Sequence, residues 1–197
     1  MSMLTADCHL VTRALSGLPD ECGDVGLIIE TGSERFLALV DVLGHGPEAH
    51  EVGESAVAFL KENHARPLTE LMSALHKHLR GSRGAVATLA RFGLETGALS
   101  LVGIGNITAR FFGDDAVRLL GRDGIVGYSM PGPRQQEVTM HPGDVLMLYS
   151  DGIREHFELF DRPGLLLGNA AQIAGEVLKS FGKGDDDASC LVLRCLP

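Results

Sequence analysis

The sequence predicts an α+β fold, and three observations carry that expectation. Short apolar and β-branched runs gather in two blocks of the chain while helical spacing is confined to separate stretches, so strands and helices are segregated rather than alternating. Glycine supplies 25 of the 197 residues against 8 prolines, well above the usual ~7%, which points to many tight turns between strands. Hydrophobic residues make up 45% of the chain, enough to build one sizeable core. A single domain over residues 1–197 is expected.

Cys8 to Leu15, Val25 to Glu30 and Arg35 to Val42 read as three strands, divided by S-G-L-P-D-E-C-G-D and T-G-S-E turn material. Pro47 opens a helix reaching about Glu62, with Val52, Ala56, Phe59 and Leu60 as its apolar stripe. Pro67 opens a second, with Leu68, Leu71, Leu75 and Leu79 on one face, and both helices should cover the same sheet. Strands resume at Gly84 to Phe92, Ala98 to Ile104, Ile107 to Phe112 and Ala116 to Leu120, and the turns between them predict an antiparallel meander. After an irregular G-R-D-G-I-V-G-Y-S-M-P-G-P loop, Gln136 to Met140 and Val145 to Tyr149 flank an H-P-G-D turn. Asn169 caps a helix to about Phe181, and S-C-L-V-L-R-C-L closes the chain as a strand.

The charge balance, 17 Lys and Arg against 26 Asp and Glu, leaves a formal −9 and argues against nucleic acid or an anionic membrane as principal partner. No apolar run approaches the ~20 residues of a membrane-spanning helix, and the start M-S-M-L-T-A-D-C lacks the regions of a signal peptide. Cys8, Cys22, Cys190 and Cys195 form no C-x-x-C pair and read as structural thiols of a protein in the reducing cytoplasm.

Four aspartates stand where strands meet turns: Asp24 in C-G-D-V-G, Asp41 in L-A-L-V-D-V-L-G-H-G, Asp151 in L-M-L-Y-S-D-G and Asp186 in G-D-D-D-A-S. Taken singly, an Asp beside Gly is a turn former. Asp41 and Asp151, however, each emerge from a long apolar run, and ionised carboxylates at the ends of interior strands are costly without compensation. A divalent cation is the simplest compensation, and oxygen-only ligands suit Mg²⁺ or Mn²⁺ better than Zn²⁺. Two such ions roughly 3.5 to 4 Å apart can share a carboxylate and clamp phosphoryl oxygens during in-line attack.

At these residues the chain resembles a known family. D-V-L-G-H-G at 41 to 46, followed by A-H-E-V-G-E-S-A, resembles the D-G-x-G-H-G signature of the metal-dependent PP2C-type serine/threonine phosphatases, particularly the SpoIIE-like branch. The remaining pieces follow in family order: G-D at 23 to 24, R-G-A-V-A-T-L at 83 to 89, V-G-I-G-N at 102 to 106, P-G-D-V-L-M-L-Y-S-D-G-I at 142 to 153 and D-D-A-S at 186 to 189. In its compactness the chain is most similar to single-domain stressosome phosphatases of the RsbX type. The resemblance implies a four-layer α-β-β-α sandwich of two antiparallel sheets flanked by helices, with a dimetal site at one end. It implies that Asp41 bridges two Mn²⁺ or Mg²⁺ ions, that Val42 gives one of them a backbone carbonyl, and that Asp151 and Asp186 complete the second site. Asp24 matches an acid acting through metal-bound water, so Asp41 and Asp24 are the expected catalytic carboxylates. The implied reaction is attack of a bridging hydroxide on phosphoserine or phosphothreonine. The implied partners are phosphorylated stressosome scaffold or antagonist proteins with STAS domains.

Two departures stand out. Val42 replaces the second signature glycine, where a β-branched side chain restricts the backbone and could crowd a metal. Arg13, the only arginine before Asp24, has no evident path to a phosphate. Both motivate an alternative, a non-catalytic PP2C-fold binding module in a signalling complex. Of the eight histidines, His45 lies in the signature loop, from which it could approach a leaving group or a metal-bound water, and His50 follows in the next helix; both read more simply as loop and helix residues. His76 and His78, two apart on one helix, read as a solvated face, and G-I-G-N at 103 to 106 reads as a strand turn. Cys22 paired with a distant histidine would be a different enzyme, one that leaves the four acids idle. Asp185 and Asp187 flank Asp186 and are the residues most easily confused with it.

Overall fold

The apolar runs of this chain are buried on both faces, and the architecture follows from that. The computed structural model describes residues 3–113, 117–119, 121–154, 157 and 164–197. In chain order the strands are β1 Thr5–Arg13, β2 Asp24–Glu30, β3 Glu34–Val42, β4 Ala85–Gly93, β5 Ala98–Ile104, β6 Thr108–Phe112, β7 Val117–Leu119, β8 Gln136–Thr139, β9 Val145–Tyr149 and β10 Ala188–Leu196. The α-helices are α1 Pro47–Asn63, α2 Leu68–His78 and α3 Ala170–Phe181. Hydrogen bonding joins the strands into two five-stranded sheets, β1-β10-β9-β6-β7 and β2-β3-β4-β5-β8, with every ladder antiparallel.

Three apolar layers hold four layers of structure together. Phe36, Ala38, Val40 and Val42 of β3 face α1 and α2, meeting Ala56, Leu60, Leu71 and Leu75. The alternate residues Leu37 and Leu39 face the other sheet, where Leu146, Leu148, Leu191 and Leu193 meet them. On the far side of that sheet, Val145, Met147 and Val192 pack beneath Ile173, Ala174 and Val177 of α3. Leu37 and Leu39 are fully buried, and each such side chain contributes roughly 1.5–3 kcal/mol of transfer free energy. The result is the expected α-β-β-α sandwich, with α1 and α2 on one face as their stripes predict.

Helix ends match their sequence signals. Asn169 accepts from the Gln172 backbone N–H at 2.9 Å while the Gln172 side chain accepts from the Asn169 N–H at 2.9 Å, closing a capping box on α3. Asp7 of β1 also accepts from the Ala170 N–H at 2.7 Å, tying the first strand to that helix. Pro47 occupies the start of α1, behind Gly46 at φ +86°.

The connectivity departs from the sequence reading in one respect. β4 to β7 do not form a meander: β5 pairs with β4 and β8, whereas β6 pairs with β7 and β9 in the opposite sheet. The G-I-G-N turn, with Gly105 at φ +94°, carries the chain across the sandwich instead of folding it back. The H-P-G-D turn does the same between β8 and β9, although locally it is a turn as expected, with Asp144 accepting from the His141 N–H at 2.7 Å. Strand β1 also starts three residues before Cys8 and ends before Leu15. The ends of the strand expected at Ala116 to Leu120, and His156, lie outside the described residues.

His76 and His78 are more than a solvated face. His78 shares a 3.0 Å hydrogen bond with Ser55 and stacks on Phe59 at 4.5 Å, joining α2 to α1. His76 Nδ1 accepts from the Gly127 N–H at 3.0 Å. The four cysteines are free, and no described helix is long and apolar enough to cross a membrane.

Candidate metal centre

Strand parity places the acids. Asp41 follows Leu37 and Leu39 on the inter-sheet face of β3, at the end where the apolar row runs out. Asp24, the first residue of β2, lies directly opposite Asp41 in the antiparallel register, so the two carboxyls share one face. On the facing sheet, the row Leu146 and Leu148 continues to Ser150, and the row Leu193 and Leu191 continues to Ser189. Ser150 reaches across the gap: its hydroxyl donates to Asp24 Oδ2 at 2.5 Å and accepts from the Ser189 N–H at 3.0 Å. Polar residues thus replace leucines where the sandwich opens.

A cavity of about 410 Å³ sits at this end. Asp41, Asp123, Asp151, Asp186 and Asp187 line it together with Val42, Gly44, Val86, Gly105, Asn106 and Ile125, and among the described residues no lysine or arginine contributes to its wall. The Asn106 amide donates to Asp151 Oδ2 at 3.0 Å and fixes that carboxylate's direction. Asp24 lies behind Asp41, only 3% exposed. The structure therefore brings Asp41, Asp151 and Asp186 to one wall and sets Asp24 beneath them.

Asp186 and Asp187 divide their work. Asp187 is buried and accepts from two backbone N–H groups, Gly23 at 2.6 Å and Leu15 at 2.7 Å, so it holds the chain that leads into β2. Asp186 is exposed at the cavity and accepts from the Asp187 N–H at 2.9 Å. Both line the cavity, and Asp186 is the one with fewer backbone donors on its carboxylate.

The electrostatics are those of crowded acids. Burial raises the Asp41 carboxyl far above the ordinary carboxylate range, and the negative charges of Asp24, Asp151 and Asp186 push it further. Asp24 is also raised, by burial first, against the lowering effect of its hydrogen bond from Ser150. Asp186 shifts upward through desolvation and the neighbouring Asp151. Among the described residues no three His, Cys, Asp or Glu side chains are closed to the spacing of a ready-made metal cage. The donor set nonetheless suits a hard divalent cation: oxygen ligands, surplus negative charge, and, among the described residues, no basic residue on the wall to neutralise it.

Val42 does not crowd the cavity. It lies in β3 with its side chain in the helix-side core, 1% exposed, while its N–H donates to the Gly23 carbonyl at 3.2 Å. Glycine is demanded elsewhere in the signature, at Gly44 and Gly46, whose φ values are +82° and +86°; among the described residues no non-glycine residue has positive φ. Arg83 braces this loop by donating to the Leu43 carbonyl at 3.2 Å and pairing with Glu48 at 2.6 Å. His45 is exposed and outside the cavity lining, and His50 Nδ1 lies 2.9 Å from the Cys22 carbonyl oxygen. Cys22 is buried, its thiol pushed up to about 12 by desolvation and then by Asp24, which disqualifies it as a nucleophile.

Sequence reasoning missed Asn106, Asp123, Ser150 and Ser189 as neighbours of the acids. Parity held a signal for the serines, since Leu146 and Leu148 point to residue 150. Asn106 stood in the V-G-I-G-N piece but was read only as part of a strand turn, and nothing local signalled Asp123.

Two sheets packed face to face, helices outside and a row of acids at one open end define the PP2C-like phosphatase fold. The model of the family described as stage II sporulation protein E (SpoIIE) matches residues 32–196, and the chain belongs to that family. It is similar, at 30% identity and a TM-score of 0.87 over 96% of this chain and 100% of the other, to a chain solved in work on the bacterial stressosome as a modular system adapted to control secondary messenger signalling. RsbX in complex with magnesium superposes with a TM-score of 0.82 at 15% identity, covering 99% of this chain and 100% of that one. The PP2C phosphatase domain of SpoIIE from Bacillus subtilis, with a fragment of its regulatory domain, superposes with a TM-score of 0.82 at 17% identity over 100% of this chain and 64% of that one. No curated protein sequence matches the chain significantly.

Proposed function

We propose that the protein is a divalent-metal-dependent phosphatase that removes phosphate from serine or threonine of a partner protein. The observation that carries this reading is the cavity walled, among the described residues, by five aspartates and no basic residue, with Asp24 paired beneath Asp41. Mn²⁺ or Mg²⁺, two ions in the family picture, would be held by Asp41, Asp151 and Asp186 with the backbone of Val42, and Asp24 would act from behind. A bound divalent cation supplies Lewis-acid polarisation of a phosphoryl oxygen and lowers the pKa of water.

The chain's own residues do the rest. Burial and the neighbouring acids raise the Asp41 carboxyl, so a cation held there would displace its proton. Asn106 donates to Asp151 at the cavity wall, while Ser150 restrains Asp24. Arg83 and the two left-handed glycines hold the Leu43–Gly46 loop open at the rim. The placement of Val42 removes one of the two grounds for a non-catalytic binding module.

The similarity to a stressosome chain and to RsbX supports a finer reading: substrates that are phosphorylated stressosome scaffold or antagonist proteins with STAS domains, in a cytoplasmic partner-switching pathway. The test is hydrolysis of an aryl phosphate with Mn²⁺, Mg²⁺ or chelator, then site-resolved phosphate loss from phosphorylated STAS proteins. Metal-stimulated turnover that Asp41→Asn and Asp151→Asn abolish is expected. A folded parent without metal-stimulated turnover would return the protein to the binding-module class.

A further inference from the structure

Divalent cations held by the acids would offset part of their repulsion of a phosphate dianion, and basic side chains on an adjoining wall add attraction for it. A second cavity of about 240 Å³ adjoins it, sharing Gly105, Asn106, Asp123 and Asp151, and here the wall includes Lys183 and Arg118 with Thr108 between the shared residues. The second wall therefore sets two basic residues, Lys183 and Arg118, beside the shared Asp123 and Asp151, where the first wall carries aspartates.

Lys183 is held for such a role. Its backbone N–H donates to the Gly152 carbonyl at 2.7 Å, one residue beyond Asp151, and its carbonyl accepts from the Arg13 guanidinium. Gly182, just before it, bridges to Ile153. Both backbone groups of Lys183 are pinned while the residue itself remains exposed at the cavity, and its ammonium has no salt-bridge partner among the described residues. Arg118 stands across the cavity, donating to Thr108 Oγ1 at 3.3 Å. Arg13, whose direction the sequence leaves open, points at the back of this loop rather than at the acids.

We propose that Lys183, with Arg118 opposite, binds the phosphoryl oxygens of the substrate beside the acidic cavity, and that Arg13 is a positioning residue that fixes Lys183. This rests on the phosphatase reading above and names the anion-binding side of the same site. Lysine serves as a mobile point charge for phosphate, which suits a group that must be gripped and released.

The experiment measures kcat and KM for an aryl phosphate with Mn²⁺, and competitive inhibition by inorganic phosphate, in the parent, Lys183→Gln, Lys183→Arg, Arg13→Met and the Arg13→Met/Lys183→Gln double variant. Loss of one charge-assisted contact predicts a rise of about ten- to hundredfold in both KM and the phosphate inhibition constant for Lys183→Gln, with kcat changed by less than about threefold. Lys183→Arg should restore most of that loss. Arg13→Met should raise KM less, with no further rise in the double variant, because it acts through Lys183. Thermal melting checks that each variant is folded. Unchanged KM and phosphate inhibition in Lys183→Gln, with an active parent, overturn the proposal and leave the phosphatase reading standing. A parent that hydrolyses nothing removes that reading instead, and calorimetric titration with inorganic phosphate then decides: binding weakened by Lys183→Gln upholds the pocket, whereas equal or absent binding overturns it.

Discussion

Asp187 and Gly23 stand 164 residues apart in sequence and share a 2.6 Å hydrogen bond that joins the entry of β2 to the entry of β10. The other Asp187 oxygen takes the Leu15 N–H, so one buried carboxylate satisfies two backbone donors from the segment between β1 and β2. Asp187→Ala leaves both donors unpaired, one of them buried, and is expected to cost about 2–4 kcal/mol in urea denaturation. The metal-stimulated rate should fall with it, because the Asp24 backbone is no longer registered against Asp41.

Asp41 and Asp24 make the metal-free fold pH-sensitive. Both carboxyls titrate above their unfolded values, burial being the first cause. Their contribution is fully present below the unfolded carboxylate range and is lost as pH rises through the raised values. Thermal melting in chelator should therefore show stability falling with pH across that window. Mn²⁺ should raise Tm most on the alkaline side, and Asp41→Asn should flatten both responses while lowering turnover by at least about a hundredfold.

Gly152 is the closest packing constraint at the site. A Cβ there would collide with the Asp187 carbonyl and lie 2.8 Å from Ala188 Cα, both backbone. Gly152→Ala must push the Asp151–Ile153 turn away from β10, and a loss of about 2 kcal/mol or more, with a disordered Asp151, is expected from denaturation and amide exchange.

His76 offers a separate pH test. It accepts the Gly127 N–H only while Nδ1 is unprotonated, and burial followed by Arg80 lowers its proton affinity below the usual 6.5. That stabilisation is present above the unfolded value and is lost as pH falls through the lowered one. His76→Leu should remove the corresponding slope from the stability profile, read by denaturation between mildly acidic and neutral pH.

Most elements were legible because their periodicity is local. Leu68, Leu71 and Leu75 mark α2, and Asn169 with Gln172 marks the start of α3, each through contacts within a few residues. The meander was misread because alternation reports that a strand is buried and says nothing of which strand pairs with it. Gly105–Asn106 and His141–Asp144 look like hairpin turns in sequence, yet each delivers the chain to the opposite sheet.

By itself the sequence determined the α+β class, the covering helices and the four aspartates, because strand ends and family motifs are written in consecutive residues. Only the tertiary structure decided that Asp24 lies under Asp41, that Asp187 is a backbone anchor while Asp186 is free, and that Ser150 and Asn106 restrain the acids. The reason is physical: each of those roles depends on strand register or on how the two sheets meet, which brings together residues as far apart in sequence as Ser150 and Asp24, 126 positions from one another.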